Sequence, residues 1–319
     1  MPSPRGVLTA NTSLASHLKS PTGVFVGATS GIGLSTISAL LSHTHSPKLY
    51  IVERSQANFA ATLAALQEVN SSSQLVFIEA QVSLLKEVER VCDLIRRQES
   101  ALDLLWVSQG GLSLGYEGTV EGIIGNYAIM QYSRTLFMYS LLPLLGESAD
   151  GRIVSVSAAG EEGAVNMSDI GLSEAANYGF VAALRQGVTM MSLVMRELSL
   201  ENPNVSLIHT DPGVVNTAVH VKLAETMTGY LTPLSWLVRW GLVPLVWLLG
   251  RTAEEAGQVG LYELTSERYS ADSGENFFRL RANAEDAGAS SILSTYIEDG
   301  TQRKVWEHTM GVYEKVLAQ

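Results

Sequence analysis

The sequence predicts an α/β fold, a doubly wound parallel sheet of Rossmann type with an apolar helical C-terminal extension. Three observations predict it. From Gly23 onward, short apolar runs of strand length alternate with longer amphipathic stretches of helix length. The first run leads directly into the turn Gly27-Ala28-Thr29-Ser30-Gly31-Ile32-Gly33, and a helical pattern follows. Small or polar residues recur where successive strands end, at Gly27, Ser108, Ser157 and Asp211. Ligands of an open α/β sheet bind outside the carboxyl ends of its strands, so these four residues are expected in one crevice.

Taken in order, the first strand is expected at 24–27, and helix 31–42 turns Ile32, Ile37, Leu40 and Leu41 to one side. Strands at 48–53 and 75–79 are each followed by a helix, at 57–69 and 84–98. The strand at 102–107 ends in Ser108-Gln109-Gly110-Gly111, and a long helical stretch runs from 123 to 145. The strand at 152–156 precedes an amphipathic helix at 178–200. The strand at 205–209 ends in Asp211-Pro212-Gly213. No internal repeat or low-complexity linker divides the chain.

Composition narrows the function. With 46% apolar residues in 319, the chain can bury a substantial core. A net charge of -11 excludes nucleic acid as a partner, because phosphate backbones need a basic face. The single cysteine, Cys92, forbids an internal disulfide and reads as a small core residue. A reducing, cytoplasmic location is expected, since the first twenty residues hold no continuous apolar run of signal type. No metal site is expected.

The glycine-rich turn carries most of the functional information. A strand, a tight turn and a helix start together hold the pyrophosphate of a dinucleotide. Gly27 allows the turn, Gly31 lets backbone N–H groups approach the phosphates, and Gly33 lets helix and strand pack closely. The helix N-terminus adds unpaired N–H groups and the positive end of its dipole. The chain therefore divides into an N-terminal arm (1–22), a dinucleotide-binding core (23–218) and a C-terminal lid and extension of the same domain (219–319).

From these residues the chain resembles the short-chain dehydrogenase/reductase superfamily over roughly 23–257. Gly27-Ala28-Thr29-Ser30-Gly31-Ile32-Gly33 is similar to that family's Gly-x-x-x-Gly-Ile-Gly signature. Ser108-Gln109-Gly110-Gly111 stands where the family has Asn-Asn-Ala-Gly, and Gly151 to Ser157 is similar to its fifth-strand block. Pro212-Gly213-Val214-Val215-Asn216-Thr217 matches the segment that contacts the nicotinamide carboxamide. More specifically, the chain resembles a divergent fungal branch associated with secondary metabolism. The resemblance implies NAD or NADP as cofactor, held by Gly27, Thr29, Ser30, Gly31, Ile32, Gly33, Ser108, Gly110, Pro212, Gly213, Val215 and Thr217. Glu53 favours NAD by accepting bonds from a ribose 2′-OH, whereas the adjacent Arg54 favours the 2′-phosphate of NADP. Gln81, followed by Val82, stands where the family commonly has an Asp near the adenine.

The catalytic pattern departs from the family. There a Ser polarises the carbonyl, a Tyr exchanges the proton, a Lys four residues later supports it, and an Asn lies on the preceding helix. Here Ala182 stands four residues after Tyr178, and the alternative register places Phe180 and Leu184 at the Tyr and Lys positions. Neither supplies a lysine, and Arg185 is the nearest cation. The Asn position falls at Met130, one helical turn after Asn126, and the Ser position at Ala158, immediately after Ser157. The catalytic candidates are Tyr178 as proton donor, Ser157 as carbonyl donor and Asp211 as a base or turn cap. His209 reads as a buried core histidine, and Glu161 with Glu162 as a solvated pair.

Between 230 and 249 the chain becomes strongly apolar, with Trp236, Trp240 and Trp247 spread along it and Pro233, Arg239, Gly241 and Pro244 interrupting it. A pair of broken helices forming a lid or subunit contact is expected, with peripheral membrane contact as the alternative and a true span after it. A greasy lid suggests a small hydrophobic substrate, and the family implies a homodimer or a tetramer. Three functions follow: an NAD(P)(H)-dependent oxidoreductase of a hydrophobic alcohol or ketone, a non-redox isomerase, cyclase or dehydratase on the same fold, or a silent dinucleotide binder.

Overall fold

Strands β1 (Thr22–Val26), β2 (Lys48–Glu53), β3 (Gln74–Glu79), β4 (Leu104–Val107), β5 (Gly151–Val156), β6 (Val205–Thr210) and β7 (Phe277–Leu280) form one parallel sheet in the order β3-β2-β1-β4-β5-β6-β7. The computed structural model describes residues 4–16, 18–111, 116–227 and 232–319. Central strands bury both faces, with Val24, Phe25, Val26, Leu49, Tyr50, Ile51 and Val52 all fully buried. That is why these segments read as unbroken apolar runs rather than as alternating ones. Gly23 pairs with both Leu49 and Leu104, so strand order reverses between β1 and β4, and the ligand crevice opens there.

Helices cover both faces. On one lie α1 (Pro4–Thr12), α2 (Gly31–His43) and α3 (Gln56–Val69), whose Val7, Leu40 and Phe59 share a core with Phe25 and Trp106. On the other lie α4 (Leu85–Gln98), α5 (Ser133–Gly146) and α6 (Phe180–Glu201), where Val91, Phe137 and Val194 pack against Val24 and Ile153. A helical turn at Gly125–Tyr127 and a π turn at Ala128–Tyr132 lead into α5. The C-terminal part adds α7 (Val219–Thr226), α8 (Thr232–Leu249), α9 (Ala253–Thr265), α10 (Ser291–Glu298) and α11 (Thr301–Leu317).

The structure adds detail to two expectations and corrects two others. The N-terminal arm, of which residues 1–3 and 17 lie outside the described residues, is largely helical and docked. Val7 and Leu14 are buried, and Asn11 donates to Gln258. The extension supplies β7, which pairs in parallel with β6 (Leu207 with Phe277), and so completes the sheet as well as any lid. The apolar stretch, of which Tyr230 and Leu231 lie outside the described residues, forms one helix rather than a broken pair. Its π turn at Val238–Leu242 ends two residues before Pro244, whose missing N–H and bulky ring a regular α-turn accommodates poorly. Finally, α6 begins at Phe180, so Tyr178 precedes the helix instead of starting it.

Candidate functional site

A cavity of about 780 Å³ opens at the C-terminal ends of the strands. The turn after β1 forms one wall. Gly27 has φ +73°, and a Cβ there would lie 2.4 Å from the backbone of Gln109, so only glycine fits. Gly31 has φ +57°, and a Cβ on it would meet the Thr217 methyl at 3.1 Å. The Pro212-to-Thr217 segment thus closes over the turn. Ser30 caps α2 without a side-chain hydrogen bond, which leaves first-turn N–H groups to an anion. This backbone cradle fits a dinucleotide diphosphate.

The structure brings most of the expected cofactor residues together: Gly27, Ser30, Gly31, Ile32, Gly33, Ser108, Gly110, Pro212, Gly213, Val215 and Thr217 line the cavity. The Ser108 hydroxyl is a brace, accepting from Trp106 Nε1 at 2.9 Å and donating to the Gly27 carbonyl at 3.0 Å. Thr29, Glu53, Arg54, Gln81 and Val82 lie outside this wall. Thr29 donates to Glu53 at 3.4 Å, and Glu53 also accepts from the backbone and Nε of Arg54. Gln81 donates to Ser83, and the Val82 side chain is buried in the core, leaving a ligand only its backbone.

The opposite wall is built from side chains. Tyr178 and Ser157 both line the cavity, and Asn126 Nδ2 donates to the Tyr178 hydroxyl at 2.9 Å. Asn126, rather than Met130, is therefore the amide beside the phenol. The face of α6 toward the cavity carries Phe180, Ala183, Leu184, Gly187, Val188 and Met191, all apolar or small. Arg185 turns away and donates to the carbonyls of Glu161 and Glu162.

Two groups in this wall escaped the sequence reading. Arg134 is 3% exposed and donates to the carbonyls of Gln109 (2.9 and 2.5 Å) and Val156 (2.5 Å), joining the ends of β4 and β5. Burial pulls its pKa down to about 10, so the guanidinium stays charged at neutral pH. Its signal was a single charge in the otherwise uncharged helix Ser133–Gly146. Gln131 is 2% exposed in the same wall, and neither end of its amide has a partner within the protein. Buried amides are rarely left so, which marks a place for a polar ligand group or water. Lys222 of α7 adds a second cation to the lining.

Asp211 also lines the cavity, with Oδ1 accepting from Gly213 N at 2.9 Å, the turn-capping geometry. Burial raises its pKa. Glu162 overturns the expectation of a solvated pair: it is buried, while Glu161 is exposed. Arg279 clamps the Glu162 carboxylate at 2.8 and 2.7 Å, and Ser192 donates to it at 3.0 Å. The Ser192 hydroxyl also meets His209 Nδ1 at 2.8 Å. His209 is fully buried, as expected, and desolvation pushes its pKa well down. On the far side of the sheet, Glu263 of α9 accepts from the Thr210 hydroxyl at 2.8 Å, and burial raises its carboxyl to about 8.

Comparison with known proteins agrees with this architecture. Residues 22–228 match the family model for short chain dehydrogenase. The chain is 32% identical to Oxidoreductase AN1596 of Emericella nidulans, over 93% of each chain. It is 26% identical to retinol dehydrogenase 14 of Homo sapiens, over 90% of this chain and 84% of that one. The solved structure of NADPH-bound carbonyl reductase from chicken fatty liver superposes with a TM-score of 0.57 at 18% identity, covering 84% of this chain and 99% of that one. The last comparison speaks to the fold alone.

Proposed function

Because the chain belongs to the short-chain dehydrogenase family, we propose that it is an NAD(P)(H)-dependent oxidoreductase interconverting a hydrophobic alcohol and ketone of secondary metabolism, with Tyr178 as proton donor. One observation carries this reading. The Tyr178 hydroxyl, oriented by Asn126, lies in the cavity whose other wall is the phosphate turn and the Pro212-to-Thr217 segment.

A bound nicotinamide supplies or accepts the hydride. The chain's own residues do the rest. Asn126 donates to the Tyr178 oxygen, so the phenol keeps its own O–H to give to a substrate oxygen. Ser157 offers a second hydroxyl to the same oxygen. Arg134 reaches the carbonyl of Val156, the residue before Ser157, and sets a fixed positive charge behind the polarised bond. The apolar face of α6 excludes water and accepts a greasy substrate. Retinol, named for one relative, is an alcohol of that kind. Glu53 and Arg54 present an acceptor and a cation side by side, serving a ribose 2′-OH and a 2′-phosphate respectively.

Absence of lysine four residues after Tyr178, where Ala182 stands, favours a second reading: isomerisation, cyclisation or dehydration with the cofactor as scaffold. Reduced-nicotinamide absorbance with a panel of apolar ketones and alcohols separates the two. The oxidoreductase turns over cofactor, and Tyr178→Phe lowers kcat about 100-fold with dinucleotide Kd unchanged. Conversion of a substrate to an equal-mass isomer, or to a product lighter by one water, without cofactor turnover establishes the second reading, and tight dinucleotide binding with no product leaves a silent binder.

A further inference from the structure

The helix α8 does not behave as a core helix. It spans Thr232–Leu249, yet only 11% of it is buried. Trp236, Leu237, Trp240, Trp247, Leu248 and Leu249 are each 64% to 79% exposed. Contact with the rest of the protein runs along a stripe through Ser235, Val238 and Val246, where Ser235 donates to the Ala224 carbonyl and Val238 packs on Leu223, Ala224 and Met227 of α7, and Trp247 borders the cavity. Exposed apolar side chains occupy nearly everything outside that stripe. Water solvates such a surface at a substantial cost, so a partner is implied.

We propose that α8 seats the protein in the plane of an uncharged lipid bilayer surface, beside the mouth of the cavity. A second copy of the chain fits poorly. Paired through this helix, about 27 Å long and ~10 Å wide, it covers a strip of roughly 270 Å² per copy, well below the roughly 600 Å² per partner of a small stable interface. Such pairing through the tryptophan face also leaves the flanking Leu234 and Leu237 in water. A bilayer instead wraps the whole protruding surface. Tryptophan is the side chain that interfaces hold best, its ring among acyl chains and its N–H at the headgroups.

Charge selects the lipid. The chain carries -11 overall, whereas residues 232–249 contain no acid and one base, Arg239. An anionic surface repels the body of the protein, and a zwitterionic surface accepts the uncharged patch. Arg239, mid-helix and exposed, together with the stripe fixed along α7, favours lying in the interface over crossing it. The patch also continues into the cavity. Trp247 lines it, and Val214, 59% exposed, accepts from Arg251 N just beyond the helix end. An apolar substrate dissolved in the bilayer therefore reaches the site without crossing water. Membrane seating itself does not depend on which reaction the cavity performs.

The test uses the full chain and vesicles of phosphatidylcholine alone. The expected result is co-sedimentation that survives high salt, with tryptophan emission quenched by brominated phosphatidylcholine. The double substitution Leu237→Asp with Trp240→Asp lowers the partition coefficient at least about tenfold while dinucleotide affinity stays unchanged. Protein that remains in the supernatant, or wild-type emission that brominated lipid does not quench, overturns the proposal. So does a concentration-dependent dimer that the same double variant abolishes, since the helix then serves a second copy. The wild-type quenching decides the matter even if the variant fails to fold.

Discussion

The two walls of the cavity are made of different material. Around Gly27 to Gly33 the wall is backbone: positive φ angles, a bare helix start and a turn packed on Gln109. Around α5 and α6 it is side chains: a phenol held by an amide, a buried guanidinium and a row of apolar groups. A backbone wall has one geometry, because few residues reach its φ/ψ values, so its identity is written locally. A side-chain wall can be rebuilt from different residues at different positions. That is why the phosphate turn follows its family closely while the hydrogen bond to the Tyr178 hydroxyl comes from Asn126.

The comparison can be broken most sharply at Gly31. Gly31→Asp forces a branched, charged side chain onto φ +57° and against the pyrophosphate position, and dinucleotide affinity falls about 1,000-fold in calorimetric titration. Retained affinity shows that the turn does not hold the phosphates.

The side-chain wall is tested at Arg134. Arg134→Met strips donors from the buried carbonyls of Gln109 and Val156, costing about 2–4 kcal/mol in denaturant unfolding. Turnover falls further than that loss explains, and dinucleotide affinity in the folded fraction is kept. An equal loss of dinucleotide affinity contradicts the separation of the two walls.

The smallest effect concerns Glu263, behind the nucleotide wall. Its folded pKa of about 8 stands above the 4.5 of an ordinary glutamate, so between these values the folded protein holds a proton that the unfolded chain releases. Its stabilising contribution is complete below about pH 4.5 and is lost as pH rises toward about 8. Glu263→Gln removes that dependence. From pH 6 to 7 the variant gains about 1.4 kcal/mol on the wild type in thermal or denaturant unfolding. Parallel stability curves show that Glu263 is charged in the folded protein.

Legibility in the sequence followed the same division. Six of the seven strands lie near their expected positions, because each is a short apolar run closed by a turn. The seventh, Phe277–Leu280, has four residues and incomplete burial, so local pattern does not distinguish it from a loop. The register placed the family's amide at Met130, with Asn126 one helical turn earlier, and it is Asn126 that stands beside the phenol. Arg134 showed only as a lone charge in an otherwise uncharged helix and Gln131 not at all, since nothing within a helix says which of its polar members face a cavity. Glu162 looked like half of a solvated pair because its partner, Arg279, lies on β7, 117 residues away.

The amino-acid sequence by itself determined the parallel α/β sheet, the phosphate turn and the crevice at the strand ends, because these depend on local periodicity and on glycine's access to positive φ. Only tertiary structure decided which amide supports Tyr178, where the buried cation sits and that α8 projects from the body of the protein. Those outcomes depend on contacts between segments far apart in the chain, and no local propensity encodes them.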